Sequence, residues 1–149
     1  VQISAANDLY GNGRPGSTIL LYQQGVSPPT NENLTYSANT NYWVSTRVTG
    51  DLISGANKIL ADNIYTKGGN ITDWTPFNSA DFNTRIYYYG NATGDPYSKG
   101  ASMQPLDQGS YTNDSKPDED LVVMWQVVVP LNTPEGTYKT SVEFIIDAA

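Results

Sequence analysis

Four asparagines stand two residues before a hydroxyl side chain: Asn33-Leu34-Thr35, Asn70-Ile71-Thr72, Asn91-Ala92-Thr93 and Asn113-Asp114-Ser115. This is the acceptor pattern for N-linked glycan transfer, in which the side-chain amide is the nucleophile and the hydroxyl two residues on is required. The chain has fourteen asparagines, so about two or three such patterns are expected by chance. Four is a mild excess, and all four fall in turn-rich stretches that should be exposed. Covalent N-glycans at Asn33, Asn70, Asn91 and Asn113 are therefore expected.

A second chemistry is available to aromatic side chains, whose faces can meet the apolar faces of sugar rings. Trp43, Trp74 and Tyr88 are the candidates for sugar stacking, within a wider set that includes Phe77, Tyr87 and Tyr89. The competing reading is core packing. In Tyr87-Tyr88-Tyr89 at least one ring must face away from its neighbours, because strand side chains alternate.

Catalysis finds little to work with. The chain contains no histidine and no cysteine. Within this chain that excludes serine–histidine triads, cysteine nucleophiles, thiolate zinc sites and imidazole ligands. Glycoside hydrolysis needs a pair of carboxylates. The four glutamates are Glu32, Glu119, Glu135 and Glu143; three read as turn or loop residues and Glu143 as the wet side of a strand. Asp114 to Asp120 has the oxygen density of a calcium loop but lacks the EF-hand spacing and its glycine. Gly11-Asn12-Gly13-Arg14-Pro15-Gly16 lacks the Lys-Ser/Thr of a phosphate loop and opens no helix. No catalytic residue, no metal site and no cofactor is expected, and the reading is a non-enzyme.

The formal net charge is −7 and the sequence pI about 4.2. Such a surface repels phosphate backbones, so nucleic acid is not an expected partner. Only 15% of residues are charged, against about 25% in an average domain. Polarity comes from Ser, Thr, Asn, Gln and Tyr, which suits an extracellular face. No run approaches the length of a membrane-spanning helix. The first residue is Val1 rather than Met, which is expected to follow removal of a leader.

These residues must be positioned by strands. The helical i, i+3, i+4, i+7 pattern fails throughout, because Gly, Pro or Asn interrupts almost every window. Short runs rich in Val, Ile, Thr and Tyr recur between turns. They are Val1–Ala5, Ser17–Gln23, Tyr42–Thr49, Lys58–Tyr65, Thr84–Tyr89, Leu121–Val129 and Thr137–Ile146. Tyr42, Val44, Thr46 and Val48 share one face, with Trp43, Ser45 and Arg47 on the other. The continuous apolar run Leu121–Val129 predicts a central strand covered on both faces. The alternation over Thr137–Ile146 predicts a strand with one wet face. Two long polar stretches, Gly25–Asn41 and Gly90–Asp120, read as surface loops with room for short extra strands. The expected architecture is a single all-β domain over 1–149. It is a β-sandwich or jelly roll, Ig-like or pilin-like, of about seven to ten strands with essentially no helix.

Val1, Ile3 and Ala5 alternate against Gln2 and Ser4 in the extended segment 1–6. An extended end can add to the sheet edge of another chain, and a head-to-tail contact that does not close propagates a filament. The alternative is an ordinary first strand paired within its own domain.

The segment Trp125 to Phe144 carries an apolar strand, a Thr133-Pro134-Glu135-Gly136-Thr137-Tyr138 turn and a final alternating strand. It resembles the closing hairpin of secreted microbial β-sandwich domains, among them spore-coat-U-type pilins, WxL-type surface domains and subunits of archaeal and bacterial surface filaments. Leu52 to Ile64 is similar to a hairpin of such domains. The resemblance implies an extracellular or cell-surface structural role. It implies a polymer of copies of one chain, in which a terminal strand completes its neighbour's sheet. The alternative expectation is a carbohydrate-binding or adhesin module.

Overall fold

The computed structural model describes residues 1–5, 9–23, 31–36, 40–89, 91–92, 94–102 and 119–149. Strands run in the order β1 (Gln2–Ala5), β2 (Leu9–Asn12), β3 (Thr18–Leu20), β4 (Tyr22–Gln23), β5 (Glu32–Tyr36), β6 (Tyr42–Val48), β7 (Leu52–Ser54) and β8 (Asn57–Ile59). They continue as β9 (Ile64–Gly68), β10 (Ile71–Pro76), β11 (Ile86–Tyr89), β12 (Asn91–Ala92), β13 (Asp95–Lys99), β14 (Glu119–Val128), β15 (Thr137–Thr140) and β16 (Val142–Ala148). The one helical element among the described residues is a single 3-10 turn, Ala61–Asn63. The all-β sandwich expected from turn spacing is the fold, divided into more and shorter strands than the seven to ten expected.

Three sheets build the sandwich. A six-stranded sheet has the order β4-β2-β1-β15-β7-β8, and a five-stranded sheet runs β10-β9-β14-β3 with β5 also on β14. A three-stranded sheet runs β11-β6-β16, and β12 and β13 form a separate small pair. One buried cluster draws on all three larger sheets: Ile3 and Tyr138 from the first, Val123 and Trp125 from the second, Val44 and Ile86 from the third. The indole of Trp125 stacks on Phe77 at 5.4 Å and meets the edge of Phe144 at 6.1 Å, pinning the five-stranded sheet to the three-stranded one. Between the same sheets, the Tyr88 and Thr66 hydroxyls share a buried hydrogen bond of 2.7 Å. Thr66 also donates to the Met124 carbonyl.

Several expectations change in detail. β14 is central, with β9 on one side and β3 and β5 on the other, but it is not covered on both faces. Val123, Trp125, Val127 and Val129 are buried, whereas Val122 is exposed. The run Thr137–Ile146 is two strands: the chain changes sheets at Ser141, so β15 joins the six-stranded sheet and β16 the three-stranded one. For the same reason β14 and β15 are not hairpin partners. The Pro130–Gly136 connection carries the chain from one sheet to another. The 52–64 segment does contain a hairpin, β7 with β8, closed by the two residues between Ser54 and Asn57. Gly55 there takes a φ of 59°, as a tight hairpin of this hand requires.

Gly68 is a point of close backbone approach in the five-stranded sheet. It is in register with Ile71 on one side and Val123 on the other, beside a register shift. Its φ is 152°, and an added Cβ would lie 2.6 Å from the Val122 carbonyl oxygen. Backbone cannot retreat as a side-chain tip can. Gly68→Ala is expected to cost about 1–3 kcal/mol, the range for overpacking, read as a lower midpoint in urea unfolding with an unchanged slope.

Candidate functional site

β1 is an interior strand whose two edges are both occupied. It pairs antiparallel with β2, Ile3 opposite Gly11 and Ala5 opposite Leu9. It pairs parallel with β15, Ile3 opposite Tyr138 and Ala5 opposite Thr140. This is the one parallel ladder among the described residues. The alternation read from the sequence sets the faces: Ile3 is 1% and Ala5 6% exposed, while Gln2 lies on the exposed side. Val1 packs against the core from its margin. At the mouth of the seam the Gln2 amide donates to the Gly136 carbonyl at 3.0 Å. The Gly13 amide donates to the Val1 carbonyl, also at 3.0 Å, and the Val1 nitrogen to the Gly13 carbonyl at 2.9 Å.

Gly11 has a packing role at this seam. A Cβ there would collide with the ends of Ile19 and Leu21, 2.5 and 2.7 Å away. Both are buried. Its missing side chain lets β3 close over the sheet beside Ile3. β15 leans heavily on β1: four residues pair on that side, against the single Lys139–Ile53 pair with β7 on the other. Side-chain bonds supplement the ladder, from the Tyr138 hydroxyl to the Pro134 carbonyl and from the Thr140 hydroxyl to the Gly50 carbonyl. Burying an Ile side chain contributes roughly 1.5–3 kcal/mol, so Ile3 is the main anchor of the seam.

Val1, Ile3 and Ala5 therefore do not stand as a free end in this chain. They occupy a slot in their own sheet, because β2 and β15 together satisfy both edges of the strand and the core accepts its apolar face. Residues 6–8 alone connect Ala5 to its neighbour Leu9.

The sugar-stacking set does not form one platform. Tyr88 is closed to solvent and its hydroxyl is engaged within the core, so it has no face to offer a sugar. Trp43 lies on β6 of the three-stranded sheet and Trp74 on β10 of the five-stranded one. Both are half-buried. One face of each is taken by an ammonium group, Lys99 Nζ 4.6 Å from the Trp43 ring and Lys67 Nζ 4.7 Å from Trp74. Trp43 Nε1 also donates to the Gly100 carbonyl. Phe77 and Tyr87 are buried as well, so core packing accounts for most of these rings.

The sequons are separated by structure. Asn70 and Thr72 are both exposed around the β9–β10 turn, where the Asn70 backbone amide donates to the Tyr88 carbonyl. Asn33 lies within β5 opposite Val122, and Asn91 within β12 opposite Lys99. These two are strand positions, although their stretches read as turn-rich. Asn113 lies outside the described residues, as does most of the acidic stretch 114–120.

A further feature had no sequence signal. Asp95 Oδ1 accepts from the Tyr97 amide and Oδ2 from the Ser98 hydroxyl, and these bonds hold its carboxyl below the usual range. The Tyr97 hydroxyl donates to the Pro76 carbonyl, stapling β13 to β10. Burial, then the Asp95 charge and Tyr65, push the Tyr97 phenol up. Among the described residues no cluster of acids could hold a metal ion, and no helix is long and apolar enough to cross a membrane.

In comparisons with known proteins, the chain matches no family model, no curated protein and no solved structure.

Proposed function

We propose that the protein is a structural subunit of an extracellular or cell-surface filament, a pilus or matrix fibril, built head-to-tail from copies of this chain by exchange of β1. The observation that carries this reading is the slot between β2 and β15, filled by a strand that the short segment 6–8 joins to β2. Exchange of such a strand preserves every contact it makes, because β1 of one copy meets the same β2 and β15 in the next. The balance then depends on the connection and on concentration, and short connections between paired strands invite exchange. The closed chain is the self-complemented form; the exchanged form does not close and so grows. Exposed Asn70, with any glycan at the other sequons, would keep such a fibre hydrated.

The chain has no cysteine, which permits a direct test. Gln2 and Thr137 are register partners on the exposed face, with the Thr137 hydroxyl donating to the Gln2 side-chain oxygen. Replacing both (Gln2→Cys, Thr137→Cys) and oxidising assembled material should yield a ladder of covalent multimers in denaturing electrophoresis. Exclusively monomeric, internally bridged chains from intact filaments would overturn β1 exchange. Absence of filaments in electron micrographs of native material would overturn the structural role itself.

A further inference from the structure

The exposed side of the β1 seam is a groove of about 400 Å³. Its floor is the six-stranded sheet, where β4, β2, β1 and β15 run side by side. Pairing register sets what lines it. Tyr22 is opposite Tyr10, Tyr10 opposite Ser4, and Ser4 opposite Lys139. The next row places Asn12 opposite Gln2 and Gln2 opposite Thr137. Side chains of directly opposed residues start about 5 Å apart, so register brings the two phenols to the same stretch of the groove wall, and both line it. Tyr22 is 37% exposed and Tyr10 half-buried.

Beside the rings stand an amide row and an ammonium. The Thr137 hydroxyl donates to Gln2 Oε1 at 3.1 Å, which holds the Gln2 amide at the groove wall. Asn12 offers a second amide. Among the described residues no carboxylate lines the groove, although the chain has fifteen acidic residues. Among those residues Lys139 is the one charged group. Rings for stacking, amides and hydroxyls for hydrogen bonds, and an ammonium on an acidic molecule together match a polyhydroxylated ligand bearing a carboxylate.

We infer that this groove is a glycan-binding site selective for uronate-containing chains, with Tyr10 and Tyr22 stacking on sugar rings and Lys139 pairing with the uronate carboxylate. It is distinct from the Trp43, Trp74 and Tyr88 set and exists within the single closed chain, so it stands apart from β1 exchange. The amide donors suit hydroxyl oxygens, and an ammonium acting as a point charge suits a carboxylate whose position along the sugar chain varies.

The test titrates the protein with a tetra-uronate and with a neutral tetrasaccharide of equal length, followed by amide NMR shifts and calorimetry. The expected result is tighter uronate binding, with shifts centred on β1, β2, β4 and β15. Tyr22→Ala should weaken both ligands at least tenfold. Lys139→Gln should remove the uronate preference and keep neutral binding. Thermal melts of both exposed-face variants establish that they fold. No binding by wild type, shifts centred elsewhere, or unchanged binding by folded Tyr22→Ala would each overturn the assignment. An uronate preference that survives Lys139→Gln would overturn the role of the cation.

Discussion

Replacing Trp125 by Ala is expected to remove about 3–5 kcal/mol of stability, the range for emptying the space of a large aromatic in a core. Domain stabilities are about 5–15 kcal/mol, so the variant sits near the edge of folding. The indole is 1% exposed and lies almost parallel to the Phe77 ring, at 7°. It also meets Phe144 edge-on. Its loss would remove the ring that bridges Phe77 and Phe144. The Nε1 hydrogen makes no bond among the described residues, so Trp125→Phe should retain much of what Ala loses. Urea unfolding followed by circular dichroism checks both. Equal losses for Phe and Ala would show that stacking is not what Trp125 contributes.

The second large effect concerns the seam. Ile3→Asp places a carboxylate in the buried cluster that also holds Leu9, Ile19 and Tyr138, where no described residue is a cation. An unpaired buried charge is among the few changes that cost more than about 4 kcal/mol. The expected outcome is detachment of β1, read as proteolysis within residues 1–8 and loss of protection of the β15 amides in hydrogen exchange. Ser4→Asp is the matched control. It adds the same group to the other face of the same strand, opposite Lys139, and should change stability by no more than about 0.5 kcal/mol. Similar losses from both would contradict the alternation of β1. In filaments, Ile3→Asp should also abolish growth, while Ser4→Asp should not.

Much of the fold was legible because burial follows the two-residue period. Tyr42, Val44, Thr46 and Val48 were assigned to one face and all four are buried. The same rule identified β1 and its inward residues. What the period cannot report is which strand lies alongside. Nothing in Val1–Ala5 announces a parallel partner 135 positions away, as the Gln2–Thr137 contact is. The break at Ser141 was hidden because alternation continues across it while the chain passes to another sheet. Exposure of apolar residues also misled. Leu121–Val129 is nearly all apolar and so implies two covered faces, yet one face is open at Val122.

The candidate site was read in part. Trp43, Trp74 and Tyr88 were chosen by residue type, and type alone does not distinguish a ring with a free face from one under a lysine or inside the core. The Tyr10–Tyr22 pair has no local signal, because two strands with an intervening segment bring it together and neither tyrosine sits in a run of aromatics. Gly11 likewise gave only a turn signal, while its consequence is packing beneath Ile3. The Asp95–Tyr97–Pro76 staple depends on a contact between β13 and β10, which no local pattern encodes.

The direction of β1 relative to β15 bears on mechanics. Ladder hydrogen bonds lie across the strands, so traction along β1 stretches its bonds to β2 and β15 together rather than peeling them singly. Rupture under such shear is governed by a barrier crossed all at once, and the lifetime of the joint is set by that rate rather than by equilibrium affinity. A junction made from this strand would hold a pulled fibre through a seam only four residues long.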